Sequence, residues 1–374
     1  MTRPFQSATI PGDRLLPGIL GLRGIAALAV VIFHLIELVG IAPPPAFAFV
    51  ATNFGFGVHL FFILSAYSLM HSTGHTLSRP AWAQQFFIKR LCRIAPLFYC
   101  VLAIMLFRPP LATSPIPDIV QIALLNLTFT FGLVPGSEAV WGGWAVGVEM
   151  MFYAVFPVLL LTLRSTRALL WLVLVTLAIG YASRSLLYFH YAGGAVPSAR
   201  NWSYFSFAPN FYFFALGMCA YRLSGSINPD SALMKRILPA GTVLFLGVLL
   251  LTTLHWPLKN IARLDLMLWG GALSLLALWQ GARPGAWCAN RVCEYLGERS
   301  YSIYLLHPLV IVRFKQHVYN LYHWLAPYLG TFAFFACLAA VMLLLLLVAE
   351  LSYRFIEIPG IRFGQRLNRK LSAS

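Results

Sequence analysis

Apolar runs close to 20 residues long recur along the 374-residue chain, parted by short segments of Arg, Pro, Gly and Ser. Wound as a helix at about 1.5 Å per residue, such a run spans the ~30 Å hydrocarbon core of a bilayer. The runs fall at about 15–38, 54–70, 91–107, 119–134, 146–163, 168–189, 206–223, 237–254, 264–281, 296–314 and 328–351. They predict an all-α integral membrane protein. The run at 119–134 is the weakest, because it carries Gln121 and Asn126 and several Thr and Gly breaks before Pro135-Gly136-Ser137. The first run does not read as a secretory signal, although Ala46-Phe47-Ala48 resembles a cleavage site. It is too long, Arg23, His34 and Glu37 interrupt it, and a second run follows at once.

Charge placement decides whether 119–134 crosses. With the N-terminus inside and 119–134 held outside, 20 of the 27 Lys and Arg residues fall on cytoplasmic segments or inner helix ends. If 119–134 crosses, everything after it inverts and that bias is lost. The expected architecture is therefore about ten transmembrane helices with both termini cytoplasmic. An outward loop over 108–145 would contain one short re-entrant or interfacial segment. Residues 1–374 form a single transmembrane domain in this reading, with a short cytoplasmic N-terminus (1–14) and a basic, interfacial cytoplasmic tail (355–374). Composition agrees: 60% of residues are hydrophobic and 10% charged. The net charge of +16 is scattered between apolar runs, which points to topology and membrane lipids rather than nucleic acid. Six cysteines without a C-x-x-C pair suggest no disulfide framework. The chain shows no clear internal repeat, which leans against a secondary transporter.

Ionisable residues inside these runs are the candidate chemistry, since burying them in lipid is expensive. Arg23 and His34 are eleven residues apart in the first run, about three helical turns, so they share a face roughly 16 Å apart. Arg90 and Arg93 are i, i+3 neighbours at the inner end of the third. Two guanidinium forks there suit a phosphate-bearing ligand, and a plain topological anchor is the competing reading. Trp144, Glu149 and Tyr153 enter the next spanning helix from outside. Glu149 is expected at a depth similar to His34, where it would hold the imidazole and strengthen it as a base, or merely pin two helices. Ser300-Tyr301-Ser302-Ile303-Tyr304-Leu305-Leu306-His307 lines a further helix with hydroxyls and one histidine. A lone histidine of this kind is usually a satisfied core residue. His71 and His75 have metal-ligand spacing, but no nearby acid or cysteine completes a site, so no metal is expected. The chain carries no Gly-x-Ser-x-Gly elbow and no phosphate-binding Gly-rich loop.

Arg23-x10-His34, Arg90-x-x-Arg93, Trp144-x4-Glu149, Ser300-Tyr-Ser-Ile-Tyr-Leu-x-His307, Arg354-Phe-Ile-Glu357-x-Pro359 and Gly57-Val-His-Leu-Phe-Phe-Ile-Leu-Ser65 occur in that register. Together they resemble the membrane-bound acyltransferase-3 family over nearly the whole chain. Departures are His59 where Asp is usual, Ala66-Tyr67 for Gly-Phe, Ala145 for Ser or Thr, and Met150 for a second acid. The resemblance implies transfer of an acyl group, commonly acetyl, from cytoplasmic acyl-CoA as co-substrate, with no permanently bound cofactor. The acceptor would be a hydroxyl of an extracytoplasmic or lipid-linked glycan, and the setting a bacterial inner membrane. Some members carry an added periplasmic hydrolase-like domain, and this chain is expected to act without one of its own. On this resemblance His34, Glu149 and Arg23 are catalytic, Arg90 and Arg93 hold the acyl-CoA, and Trp144, Tyr153, Tyr304 and His307 contact the acceptor. His34 would act as general base, or would carry the acyl group covalently. The rival reading is a proton-coupled transporter or flippase of a glycan or lipid, with His34 and Glu149 as relays.

Overall fold

The computed structural model describes residues 16–74, 77, 81–108, 115–192, 202, 204–253 and 264–373. The expected N-terminal segment 1–14, His75, Arg79, Arg200, Lys259 and Arg263 lie outside these residues. Among the described residues there is no strand. Helix α1 (Pro17–Val39) opens with Pro17 in the first turn, where its missing N–H costs nothing, and closes on Gly40 at φ 82°. Short turns over 45–56 lead into α2 (Gly57–Thr73). Then follow α3 (Trp82–Leu106), α4 (Ile116–Leu127), α5 (Gly143–Thr162), α6 (Thr166–Ala192) and α7 (Phe207–Ser226). After these come α8 (Ala232–Thr253), α9 (Leu264–Ala282) and α10 (Arg291–Glu298). Asn290 caps α10 by accepting from the N–H groups of Val292 and Cys293. The chain ends with α11 (Ser300–Leu329), α12 (Ala333–Ser352), a π-helical turn over Tyr353–Glu357, and α13 (Ile358–Ala373).

The expected apolar runs are helical over most of their described length. Six helical stretches among the described residues are long and apolar enough to cross a membrane: Pro17–Val39, Pro45–Thr73, Gly143–Thr162, Thr166–Leu187, Ala232–Thr253 and Ser300–Ser372. Helices α3, α7 and α9 are of similar length but fall outside that set; α3 carries Lys89, Arg90 and Arg93. The weak run at 119–134 becomes the twelve-residue α4 and a 3₁₀ turn over Phe131–Leu133. Twelve residues rise only about 18 Å, short of the ~30 Å a span needs. Two boundaries differ from the expectation. Helix α3 begins at Trp82 rather than near 91, so Arg90 and Arg93 sit two to three turns inside the helix rather than at its first turn. The run expected at 296–314 is broken at Arg299, which separates α10 from α11.

Helix α1 runs through the interior and packs on α2, α10, α11 and α9. Its contact with α10 and the turn before α10 is backbone against backbone. A Cβ on Gly21 would lie 2.0 Å from the carbonyl oxygen of Cys288, and one on Gly297 would lie 2.0 Å from that of Leu20. Small residues of this kind let helices approach where lipid supplies no hydrophobic drive. Phe152, Phe156, Phe213 and Phe214 fill the core beside α2, with Phe152 and Phe214 stacked at 4.1 Å. The polar face of α1 is therefore turned toward protein, which brings Arg23 and His34 to a common interior.

Candidate functional site

His34 on α1 meets His307 on α11. Nδ1 of His34 lies 3.0 Å from Nε2 of His307, with ring centroids 4.9 Å apart. The backbone fixes the tautomers. His307 Nδ1 lies 2.5 Å from the carbonyl of Tyr304, which can only accept, so this nitrogen carries the hydrogen. A neutral His307 then offers a lone pair at Nε2, and His34 Nδ1 must be the donor. That N–H also faces the Val30 carbonyl at 3.1 Å. What remains on His34 is an unprotonated Nε2, 3.9 Å from the exposed Glu37 carboxylate, on a side chain still 26% open. A base whose tautomer and aim are set by a third group is the arrangement that general-base and nucleophilic catalysis need. His307, expected among the acceptor contacts, is fully buried with both nitrogens engaged, so its partner is His34.

A small pocket flanks the N-terminal half of α1. Arg23, Val58, Phe61, Phe62, Ala145, Val146, Glu149, Ser300, Tyr301 and Tyr304 line it. Tyr304 marks one end: its ring is 5.7 Å from His307 and its hydroxyl donates to the carbonyl of Gly142 at 2.8 Å. Arg23 marks the other, with its guanidinium 5.6 Å from the Phe61 ring. Two buried polar atoms on the walls, Arg23 Nε and Ser300 Oγ, have no protein partner. Each is a hydrogen-bonding group left for a ligand, since a buried polar group without a partner is costly. Arg93 and Arg90 on α3 do not line the pocket but lie toward its Arg23 end. Both act electrostatically on Arg23, and Arg90 lies 5.9 Å from the Phe86 ring and 6.0 Å from that of Tyr153.

Glu149 does not sit beside His34. Its Oε1 accepts from the hydroxyls of Ser65 at 2.5 Å and Tyr153 at 2.6 Å, and its charge acts on Arg23, with which it lines the pocket. The expected His34–Glu149 pairing is thus corrected. The physical reason is where α5 starts. The expectation put its first turn at the outer surface, whereas Gly142, just before α5, is already bonded to Tyr304, one turn from His307. Glu149, seven residues on, lies about 10 Å deeper, at the level of Arg23 rather than His34. Tyr153 is buried and its hydroxyl is taken by Glu149. Trp144 joins a cluster with Phe62, Tyr204 and Phe205 and does not line the pocket.

Three features escaped the sequence. The His34–His307 bond joins residues 273 apart, and nothing in the pattern of either helix announces it. Glu357 is fully buried and held by the Ser302 hydroxyl, inside a π-helical turn that the sequence does not signal. His59, where the family usually has Asp, is buried within 4.4–6.2 Å of the rings of Phe56, Phe62, Tyr204 and Phe213, with no hydrogen-bond partner for either nitrogen. In the loop before α5, Glu138 keeps an exposed face, yet the protein around its carboxyl pushes the group up to about 7 by desolvation. Among the described residues no three His, Cys, Asp or Glu side chains converge as a metal site would require.

A family model for an acyltransferase domain matches residues 16–351. A protein of Komagataeibacter xylinus named as a membrane-bound transacylase, BcsY, is 27% identical over 92% of this chain and 83% of its own length. The peptidoglycan O-acetyltransferase OatA of Listeria monocytogenes is 23% identical over 92% of this chain and 56% of its own. A protein of Staphylococcus aureus strain COL, named as an O-acetyltransferase, is 25% identical over 92% and 57%. The chain thus spans little over half the length of these last two relatives. No solved structure matches. With the expected motifs, the helical bundle and this match over most of its length, the chain is a multi-pass membrane protein and an acyltransferase, and it belongs to the membrane-bound acyltransferase-3 family.

Proposed function

We propose that this enzyme moves an acyl group, acetyl in the simplest case, from cytoplasmic acyl-CoA to a hydroxyl of an extracytoplasmic or lipid-linked glycan. The setting is a bacterial inner membrane, with ten spanning helices and both termini inside. The observation that carries this reading is the pocket between Arg23 and Tyr304: Arg90 and Arg93 act electrostatically on Arg23 at one end, and the Tyr304 ring at the other lies 5.7 Å from His307, the partner of His34.

Coenzyme A is a polyanion with a long, thin arm. Arg90 and Arg93 bind its phosphates, and the arm lies along Phe61, Ser300 and Tyr304, with Arg23 Nε and Ser300 Oγ as polar contacts. The thioester carbonyl comes to rest near His34. His34 Nε2 takes the proton of the acceptor hydroxyl while its oxygen forms a bond to the carbonyl carbon. The carbon–sulfur bond breaks, and the leaving thiolate receives that proton from His34, so the products are an ester and free CoA. His307 holds the imidazolium through Nδ1, and Glu37 faces its other N–H. The thioester is already activated, so proton transfer and positioning suffice as the protein's contribution. Relatives named as O-acetyltransferase and transacylase support this class of reaction.

The test is purified protein in vesicles with radiolabelled acetyl-CoA, alongside mass spectrometry of surface glycans from cells with and without the gene. Loss of O-acetyl groups, restored by the wild-type chain and not by His34→Ala, is expected. A chain that neither binds nor consumes acetyl-CoA but moves a glycan or lipid across the vesicle would establish the transporter reading instead.

A further inference from the structure

Glu357 is a fully buried acid that the mechanism above does not use. It ends the π-helical turn Tyr353–Glu357, a wide turn that interrupts the regular α pattern where α12 passes into α13. Glu357, Gly360 and Gly364 stand at i, i+3 and i+7, so they share one helical face. That face lies directly on α3. A Cβ on Gly360 would be 2.5 Å from the carbonyl oxygen of Cys92, and one on Gly364 would be 2.8 Å from Cys92 Cβ. The two glycines thus seat α13 against α3 beside Arg93, and the same face carries the Glu357 carboxylate inward. One of its oxygens accepts from Ser302, whose Oγ also lies 3.1 Å from Ser352 Oγ. The other oxygen is buried and has no hydrogen-bond partner. The π-helical turn and α13 both pack on α3, which bears Arg93, and the Arg93 charge and, more weakly, that of Arg23 reach the carboxylate across a gap longer than an ion pair.

We propose that Glu357 is a positioning residue, a counter-charge that holds the Arg93 guanidinium at the donor end of the pocket. This rests on the reading that acyl-CoA docks at Arg90 and Arg93. A guanidinium costs rotamer entropy each time it must be aligned on a phosphate, and a fixed carboxylate behind it removes part of that cost before the ligand arrives. Ser302 and Ser352 fix the carboxylate in turn. The arrangement also ties the basic helix α13 to the donor end of the pocket, because α13 cannot lift from α3 without withdrawing Glu357.

The test is Glu357→Gln in the full-length protein. The amide oxygen still accepts from Ser302 and the volume is kept; only the charge is lost. Donor KM for acetyl-CoA should rise about three- to tenfold and the Kd for free CoA by a similar factor, because a charge-assisted contact is weakened. Turnover at saturating donor and the acceptor KM should stay within about twofold, a split that a general loss of packing does not produce. In Arg93→Ala the added Glu357→Gln change should raise donor KM little further. Unchanged CoA affinity in Glu357→Gln, or independent effects in the double variant, overturns the inference. If Glu357→Gln fails to insert, Ser302→Ala keeps the charge and frees its tether; a smaller rise in donor KM is expected, and no rise overturns the proposal. A wild-type chain that does not bind CoA sinks the acyl-CoA reading itself and this inference with it, and that control separates the two failures.

Discussion

At the scale of single residues, the proposed chemistry rests on which nitrogen holds a proton. The Tyr304 carbonyl takes the His307 Nδ1 hydrogen, so the hydrogen between the two rings belongs to His34, and His34 Nε2 is free to act. His34→Ala should abolish turnover, since positioned proton transfer contributes about 10²–10⁴-fold. His307→Ala should lower turnover by about ten- to a thousandfold while donor KM holds, because the base is disoriented and the donor end is untouched. His307→Gln should retain more activity than His307→Ala, as its amide oxygen can accept from His34 Nδ1. Equal activity of wild type and His307→Ala in a steady-state assay would remove His307 from the site. Glu149→Gln belongs to a different group: bonded to Ser65 and Tyr153 near Arg23, it should alter donor KM more than turnover. Much of this was legible in the sequence. Three helical turns put Arg23 and His34 on one face, and i, i+3 spacing did the same for Arg90 and Arg93. The partner of His34 was not, because helical periodicity gives a direction on one helix and no information about which helix stands opposite.

At the scale of the elements, close backbone approach decides what the bundle tolerates. Gly297→Ala would press a methyl to 2.0 Å from the Leu20 carbonyl oxygen, and backbone cannot swing aside as a flexible side chain can. The expected cost is of order 1–3 kcal/mol or more, as for other overpacked sites. It should appear as a lower thermal midpoint and a smaller folded yield in detergent. Gly225→Ala is the control, with nothing within 4 Å of the new carbon, and it should leave the midpoint unchanged or slightly higher. If the two variants melt together, α1 and α10 are not held by that contact. The apolar runs made the helices predictable, but not their starts. Helix α5 begins beside Tyr304 because the loop before it dips to give Tyr304 the Gly142 carbonyl, and that bond is tertiary. A hydropathy window has no access to it, which is why Glu149 was expected one level too far out. The break at Arg299 was hidden for a similar reason: Arg299 bonds Glu350 on α12 and stacks over Tyr295 and Tyr353, contacts made only after folding.

At the scale of the whole molecule, the proposed reaction needs a donor end and an acceptor end on opposite sides of the membrane. The basic end should show itself through salt. Arg90→Ala and Arg93→Ala should each raise donor KM more than they lower turnover, and the wild-type advantage should shrink between low and high ionic strength, since contacts to phosphate are screened. A donor KM that stays put in both variants would reduce the two arginines to topological anchors. Sidedness itself turns on α4. It is twelve residues long, about 18 Å, and cannot cross an apolar layer of ~30 Å. If it lies wholly on the outer side, the loops before and after it share a compartment, and 20 of the 27 basic residues stay inside. If it crossed, every later loop would invert, and Glu37 and the α13 tail would lose their expected opposition. The measurement uses a background in which all six cysteines are replaced, because Cys100 is exposed. Asp118→Cys before the middle of α4 and Leu133→Cys after it are both exposed positions, as are Glu37→Cys and Lys370→Cys. An impermeant thiol reagent added outside intact cells should label the first three and reach Lys370→Cys only after the membrane is opened. Labelling of Asp118→Cys but not Leu133→Cys would make α4 a crossing and would place the donor and acceptor ends on sides the proposed chemistry cannot use. Labelling of all three with Lys370→Cys protected would leave His34 facing the outer opening beside Glu37 and the three arginines facing the cytoplasm. That is the orientation in which a cytoplasmic thioester can meet an external hydroxyl without either polar substrate crossing the bilayer.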